Sequence, residues 1–591
     1  VLRNPRTGRW LVLSRRVRTI RARSLSEVVP ALRAVAQAVE QEKLFAAGYV
    51  AYEAAPAFDA ALRVHAPDPF PLLAFDLYRT ASETDALPAG RAVMPPTAPW
   101  HPDITPEEYG RSFRTIRAAI RAGDTYQVNY THRLHAPAVR DPWGLFTALV
   151  GDEPPPYAAF LDLGAWQVCS ASPELFFRLE GDRLETRPMK GTAARGRWPA
   201  EDRRRAAELR RSVKNRAENV MIVDMARHDL SRIAVTGSVR ADPLFTVERY
   251  PTLWQMISTV QCRTRAPLDK IFEALFPAAS ITGAPKTRTM AIIRAVEPSP
   301  RHVYCGAIGF LAPGRCAQFS VAIRTVLVDR RRGRMEYGVG GGIVWDSRCR
   351  REEAECAVKV RVLQPQPQPF ELLETLRWTP GEGIWLLDEH LRRLRGSIAY
   401  FGFRVDVRHV QDELNDFVAK LAAGCGASGG RALPLESAPV PPAPQRLRLL
   451  VARDGGVRIE AAPLPAAAPG SITVAADPVD ETNPFLFHKT TRRDVYAGAL
   501  RQRPGSTDVL LWNRRGEVTE STIANVLVTI NGRLCTPPLR CGLLPGTARA
   551  DLLRRGEVRE RVITLDELRR SPAIYLVNSV RGRWPVRLAA G

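Results

Sequence analysis

The stretch RPMKGTAARG (residues 187–196) decides how the first half of this chain is read, because of the lysine inside it. Of the 85 Lys and Arg residues in 591, only 8 are lysine, and Lys190 stands between Arg187 and Arg195. A guanidinium does not deprotonate in a protein, whereas a buried ammonium gives up its proton readily. A lysine kept where its neighbouring cations are arginine is therefore a candidate nucleophile or base. One lysine alone does not separate that reading from chance placement.

Working outward, a chain of this length exceeds one hydrophobic core, and two to four domains are expected. Its 45% hydrophobic and 25% charged residues are those of a soluble globular protein. No apolar run is long enough to span a bilayer, and Val1–Arg18 lacks the apolar centre of a signal peptide. The sequence begins with Val1 rather than Met, which leaves its true start open. The formal charge of +23 is almost all arginine, scattered rather than gathered in a stripe with aromatics, so neither nucleic acid nor a membrane is an expected partner. The 9 cysteines form no Cys-x-x-Cys pair and sit in apolar contexts such as VYCGAIGF (303–310). Reduced, buried thiols in a cytoplasmic protein are expected.

Two compositional breaks divide the chain. QPQPQPF (364–370) has the proline alternation of an extended linker, and GCGASGGRALPLESAPVPPAP (424–444) reads as a flexible connector. The expected domains are 1–365 and 366–591, the second split into two blocks by the connector at about 424–444. In the first, apolar strands far apart in sequence alternate with helices expected over 106–122, 200–234 and 350–363, which predicts an α+β sandwich.

In WDSRCRREEAECAVKVRVL, Glu352, Glu355 and Lys359 lie three and four residues apart and share one helical face. Glu218 lies on another predicted helix. Carboxylates on two helices, without His or Cys, suit a hard cation such as Mg²⁺, and they equally suit two solvated helix faces. The glycines of YGVGGGIVWD (337–346) allow close approach of an anion to backbone N–H groups.

Taken in order, GDTYQVNYT (123–131), SASPELFF (170–177), RPMKGTAARG, ENVMIVDMARHDL (218–230), SITGAPKTRTM (280–290), VYCGAIGF, FSVAIRT (319–325), GVGGGIVWDS (338–347) and EEAECAVK (352–359) resemble the chorismate-utilising enzymes. The resemblance covers roughly residues 100–363. It implies Lys190 as nucleophile and Glu174 as general acid. It implies Glu218, Glu355 and Glu352 around Mg²⁺, and Tyr304, Arg324, Thr282, Lys359 and the backbone of Gly340, Gly341 and Gly342 around chorismate. Members that make anthranilate carry alanine where Lys190 stands, and members that make 4-amino-4-deoxychorismate carry lysine. Gln255 stands where the family often has histidine, Met189 where it has isoleucine, and His228 where it often has asparagine. No segment has the cysteine elbow of a glutaminase, so ammonia from a separate glutamine amidotransferase subunit is expected.

In the second half, ETLRW…LLDEHLRRLRGS (374–397), FLFHKTTRRDVY (485–496), DVLLWNRRGEVTESTIANVLV (508–528) and TPPLRCGLLPGTARADLL (536–553) resemble fold-type IV pyridoxal 5'-phosphate enzymes. The resemblance implies Lys489 as the Schiff-base lysine, Glu520 at the pyridine nitrogen, and Arg393 with Gly546 and Thr547 at the phosphate. It adds Thr522 and Ile523 as further cofactor contacts and Thr375 as a residue of the lyase subfamily. Arg492 stands where members often carry asparagine. The scaffold alone does not choose a reaction.

The fusion implies synthesis of 4-aminobenzoate for folate: chorismate is aminated, then pyruvate is eliminated. Alternatives are a branched-chain or D-amino-acid aminotransferase in the second half, an anthranilate-type synthase in the first, or an arginine-rich nucleic-acid binder. Dimerisation through the second half is a further expectation of the resemblance.

Overall fold

A computed structural model describes residues 1–66, 68–88, 99–363, 369–423, 443–465 and 470–589. The expected linker at 364–370 falls mostly, and the connector at 424–444 almost wholly, outside the described residues. The chain forms two compact units, Val1–Ala194 with Ala206–Pro367, and Arg195–Arg205 with Gln368–Gly591.

The first unit is built on one long antiparallel ladder bent into two layers. One layer runs from Val260–Arg263 through Arg183–Arg187, Leu175–Glu180, Cys316–Val321, Ala307–Ala312, Phe45–Val50 and Leu73–Thr84 to Arg9–Ala22. Leu2–Asn4 pairs with Arg9–Ala22 and with Tyr157–Asp162, and so carries the ladder into the second layer. That layer continues through Trp166–Ser172, Thr325–Asp329 and Arg334–Ile343 to Gln127–Pro137. Period-two alternation sorts the side chains. Phe75 and Leu77 pack under the helices Leu25–Gln41 and Leu268–Leu275, while Ala74, Tyr49 and Ile308 meet Leu161, Val168 and Leu327 between the layers. Val326, Val328 and Tyr337 cover the other outer face with Leu145 and Phe146 of the helix Pro142–Val150. The result is an α+β sandwich with helices outside the two layers.

The helix expected over 200–234 is two helices, Pro199–Arg211 and Val213–Ser231. Ser212 between them takes an extended backbone and accepts the Asn215 N–H at 3.3 Å, so it starts a new helix. Thr105 and Glu108 cap Pro106–Arg121 reciprocally, with Pro106 in the first turn where its missing N–H costs nothing.

In the second unit, Leu372–Thr379 pairs with Gly383–Ile384 and with Gln445–Val451, which in turn pairs with Val457–Pro463. The expected division into blocks on either side of 424–444 is therefore corrected. Strands from both sides of that stretch form one sheet, packed on the helices Leu387–Phe401 and Val407–Ala422 through Leu376, Leu394, Val410 and Leu447. The second block starts at Ser471. Its strands Ser471–Val474, Val509–Trp512, Val518–Ser521, Asn525–Ile530, Ile574–Asn578 and Gly582–Leu588 pair in a ring that closes on itself. Among the described residues no helix is long and apolar enough to cross a membrane, and the eight described cysteines are unpaired thiols, most of them buried.

Candidate active sites

Lys190 lies on the strand Met189–Ala194, and its carbonyl accepts a hydrogen bond from Asn219 at 3.1 Å. Its amine reaches the glycine-rich strand. A Cβ at Gly342 would stand 3.1 Å from Lys190 Nζ and 3.3 Å from the Gln127 amide, so any larger residue would crowd both side-chain ends. Burial lowers the Lys190 pKa below the ordinary lysine value, and the Lys359 charge lowers it further. Glu174 follows the strand Trp166–Ser172 and is itself buried. Burial raises its pKa to about 7, opposed by a 2.6 Å hydrogen bond from the Ser280 hydroxyl and by the charges of Lys190, Arg324 and Lys359. The site thus pairs an amine whose pKa is lowered by burial with a carboxyl whose pKa burial raises.

A Cβ at Gly341 would stand 3.4 Å from Glu352, 3.7 Å from Glu355 and 3.7 Å from Lys359. Lys359 also donates to the Gly340 carbonyl at 2.7 Å and pairs with Glu355 at 2.8 Å. Burial raises the Glu352 pKa; against burial, Lys359 holds Glu355 below its ordinary range. Glu218, on Val213–Ser231, is felt by Lys190 together with Glu355. Among the described residues no three metal-binding side chains form a closed cluster. The donors are carboxylates only, which fits Mg²⁺, an ion that keeps several waters and needs one or two carboxylates.

The remaining first-unit candidates fall in different places. Tyr304 is buried against the glycine strand, where a Cβ at Gly338 would meet its ring at 2.2 Å, and Arg133 lies 5.1 Å over that ring. Thr282 gives its hydroxyl to the carbonyls of Ala278 and Ala279, so Ser280 in the same turn is the hydroxyl that reaches Glu174. Gln255 spends its amide on the Gly191 carbonyl and Thr192. Sequence reasoning passed over Ser280 and Gln127, although both lie in quoted motifs. Gln127 Nε2 is buried, beside Lys190, with no hydrogen-bond partner among the described residues.

In the second unit the Lys489 carbonyl is fixed by the Leu373 N–H at 3.0 Å. Burial lowers the Lys489 pKa to about 7, helped by the charges of Arg393 and Arg493. Glu520 is buried and raised to about 7, while Tyr496, the Leu544 N–H and Asn525 donate to it at 2.8, 3.0 and 3.2 Å. Arg393 is held by Glu374, which also binds His390 at 2.6 Å, and donates to the Pro545 carbonyl at 3.2 Å. Against burial, the Arg393 charge and the hydrogen bonds from Arg393 and His390 bring Glu374 down to about 2. Gly546 caps the helix Thr547–Arg554, and a Cβ there would stand 1.8 Å from Asn525 Oδ1.

An amine near neutrality, a deep carboxylate, and a guanidinium beside a helix N-terminus make a donor set that fits pyridoxal phosphate. Thr522 is placed differently from the expectation: its N–H and hydroxyl both go to Asp508, at 3.0 and 2.6 Å. Ile523 is 41% exposed. The Thr375 carbonyl accepts from Ser579 at 3.1 Å. Tyr496 and Asn525, the partners of Glu520, were not singled out from the sequence.

The first unit thus has a sandwich fold carrying a buried lysine–glutamate pair beside carboxylates and a glycine strand. The chain belongs to the chorismate binding enzyme family, whose model matches residues 1–365, and residues 371–589 match the model for amino-transferase class IV. Aminodeoxychorismate synthase component 1 of Salmonella typhimurium is 42% identical over 272 residues, 46% of this chain and 60% of that protein. Anthranilate synthase component 1 of Thermus thermophilus is 40% identical over 264 residues, 44% of this chain and 56% of that one. The chain therefore spans well under two thirds of these relatives. The crystal structure of anthranilate synthase component I from Streptococcus pneumoniae shares the fold, with TM-score 0.54 and 23% identity over 60% of this chain and 92% of that one.

Proposed function

We propose that the chain makes 4-aminobenzoate in two steps. The observation that carries the reading is the buried Lys190 amine, with its lowered pKa, in one cluster with a Glu174 that keeps its proton up to about pH 7. Lys190 adds at C2 of chorismate, both double bonds of the ring diene shift by one position, from C1=C2 to C1=C6 and from C5=C6 to C4=C5, and the C4 hydroxyl leaves as water with the Glu174 proton. Ammonia then adds at C4, both double bonds shift back, and the C2–N bond breaks to expel Lys190 as the amine. Gln127 and the Gly340–Gly342 backbone line the side from which Lys190 attacks. Glu218, Glu352 and Glu355 would hold Mg²⁺, whose charge favours the bound ring carboxylate. Ammonia comes from a separate glutamine-hydrolysing subunit.

In the second unit Lys489 holds and moves the substrate's C4 proton, and pyruvate leaves as the ring aromatises. Glu520 sets the charge at the far end of the site, while Arg393 and the Gly546–Thr547 turn hold a phosphate. Bound pyridoxal phosphate supplies an electron sink. The match of residues 371–589 to amino-transferase class IV supports a second reading, transamination at this site.

The test is one incubation of the full chain with chorismate, ammonium, Mg²⁺ and pyridoxal phosphate, products separated chromatographically. 4-Aminobenzoate is expected. Lys190→Ala should make no amino intermediate, and Lys489→Ala should accumulate it. Anthranilate as product, or transfer of the amino group to 2-oxoglutarate without pyruvate release, would overturn the reading.

A further inference from the structure

Alternate side chains of Leu372–Thr379 divide between its two faces. Glu374 points to the helix side and holds Arg393; Thr375 and Arg377 share the other face. The antiparallel neighbour Gln445–Val451 sets Arg446 opposite Arg377 and Arg448 opposite Thr375, and directly opposed residues lie on the same face. Three arginines therefore surround Thr375. Arg448 is answered by Glu460 at 3.7 Å. Arg377 and Arg446 are not: among the described residues no carboxylate lies within ion-pair distance of either. Arg377 rests on the Trp385 ring at 4.3 Å, with its Nε buried and without a hydrogen-bond partner. Arg446 also bears on Arg581, two residues beyond the Ser579 that donates to Thr375. Cations crowded at a half-buried face, with an unused buried donor among them, are compensated when an anion binds.

The strand ties this face to the reacting lysine. Leu373 bonds the Lys489 carbonyl, and Arg377 is four residues further along, roughly 13 Å. That separation suits an arginine reaching back to a carboxylate across a six-membered ring from an amine held near Lys489. We propose that Arg377 and Arg446 form a carboxylate-recognition patch that makes the second unit selective for amino acids carrying a second, distal carboxylate. The proposal rests on the reading of Lys489 as the Schiff-base lysine, and it names the substrate class of that site as dianionic.

The test uses the full chain loaded with pyridoxal phosphate and titrated with terephthalate or benzoate. The visible absorption of the bound cofactor is followed, since it reports the second site alone and does not need turnover. Terephthalate should bind about tenfold tighter than benzoate, the size of one charge-assisted hydrogen bond. Arg377→Met and Arg446→Met should each abolish most of that preference while leaving the ligand-free spectrum unchanged, and Arg446→Lys should restore part of it. Because Arg377 packs on Trp385 and its loss could unfold the sheet, the partly exposed Arg446 decides the matter alone if needed. Equal binding of the two probes, or a preference that survives Arg446→Met, overturns the patch. A selective site that transaminates rather than releasing pyruvate would instead overturn the lyase reading and leave the patch standing.

Discussion

Replacing Lys489 by methionine should stabilise the cofactor-free protein near neutral pH, with a gain that shrinks as the pH rises. The folded-state pKa is about 7 against an ordinary 10.5, chiefly because the amine is buried and secondarily because Arg393 and Arg493 face it. The unfolded chain therefore holds this proton more tightly than the native one. Stability contributed by the site rises with pH between about 7 and 10.5, and the penalty is complete below 7. At about 1.4 kcal/mol per tenfold change, the penalty is roughly 5 kcal/mol in acid, about 4 kcal/mol at pH 7 and little more than 1 kcal/mol at pH 9.5. Methionine fills similar volume without a charge. The assay is urea unfolding of the wild type and the variant at both pH values. Two compact units preclude a single-transition fit, so the transition to read is the one that pyridoxal phosphate shifts in the wild type. A gain that is equal at pH 7 and 9.5, or a variant less stable at pH 7, would refute the claim that this amine is held near neutrality by the fold.

Ser280→Ala removes the hydroxyl that stabilises the Glu174 carboxylate, so its pKa should rise further; the basic limb of chorismate turnover should move up by about one pH unit, and a fixed profile would argue against Glu174 as the acid. Gln127→Leu should leave stability unchanged, because Nε2 has no partner to lose, yet raise KM for chorismate about tenfold; an unchanged KM would place Gln127 outside the substrate site. Chelation with EDTA should stop chorismate amination while added 4-amino-4-deoxychorismate is still cleaved, as chromatography of both reactions will show; loss of both steps would count against separate metal and pyridoxal phosphate sites.

Legibility in the sequence followed the range of the interaction. Lys190, Glu174 and Glu355 stand out as candidates in the sequence because each sits in a short motif and the motifs come in a fixed order. The same holds for Lys489 and Glu520. What the order could not show was which buried polar groups meet across the fold: Ser280 reaching Glu174, Tyr496 and Asn525 on Glu520, Thr522 turned to Asp508. Three of those pairs are 14 to 106 residues apart, and Asn525 and Glu520, 5 apart, lie on neighbouring strands. The break at Ser212 was hidden because serine inside a helical pattern is unremarkable until its side chain is seen accepting the Asn215 N–H. The block boundary was misplaced for a related reason. A stretch rich in Gly, Ala, Ser and Pro looks the same whether it joins two blocks or interrupts one sheet, and only the pairing of Leu372–Thr379 with Gln445–Val451 tells them apart.

The same physics bears on the two candidate amines, Lys190 and Lys489. Both candidate amines are buried and held by a neighbouring cation: Lys359 beside Lys190, Arg393 and Arg493 beside Lys489. In the second site those neighbours are guanidiniums, which stay charged at every accessible pH, so their field lowers the lysine pKa without titrating alongside it. A lysine in place of Arg393 would share the proton and weaken the effect as pH rose. A fixed positive surround of guanidiniums is thus suited to favouring the neutral amine that the proposed function asks of Lys489.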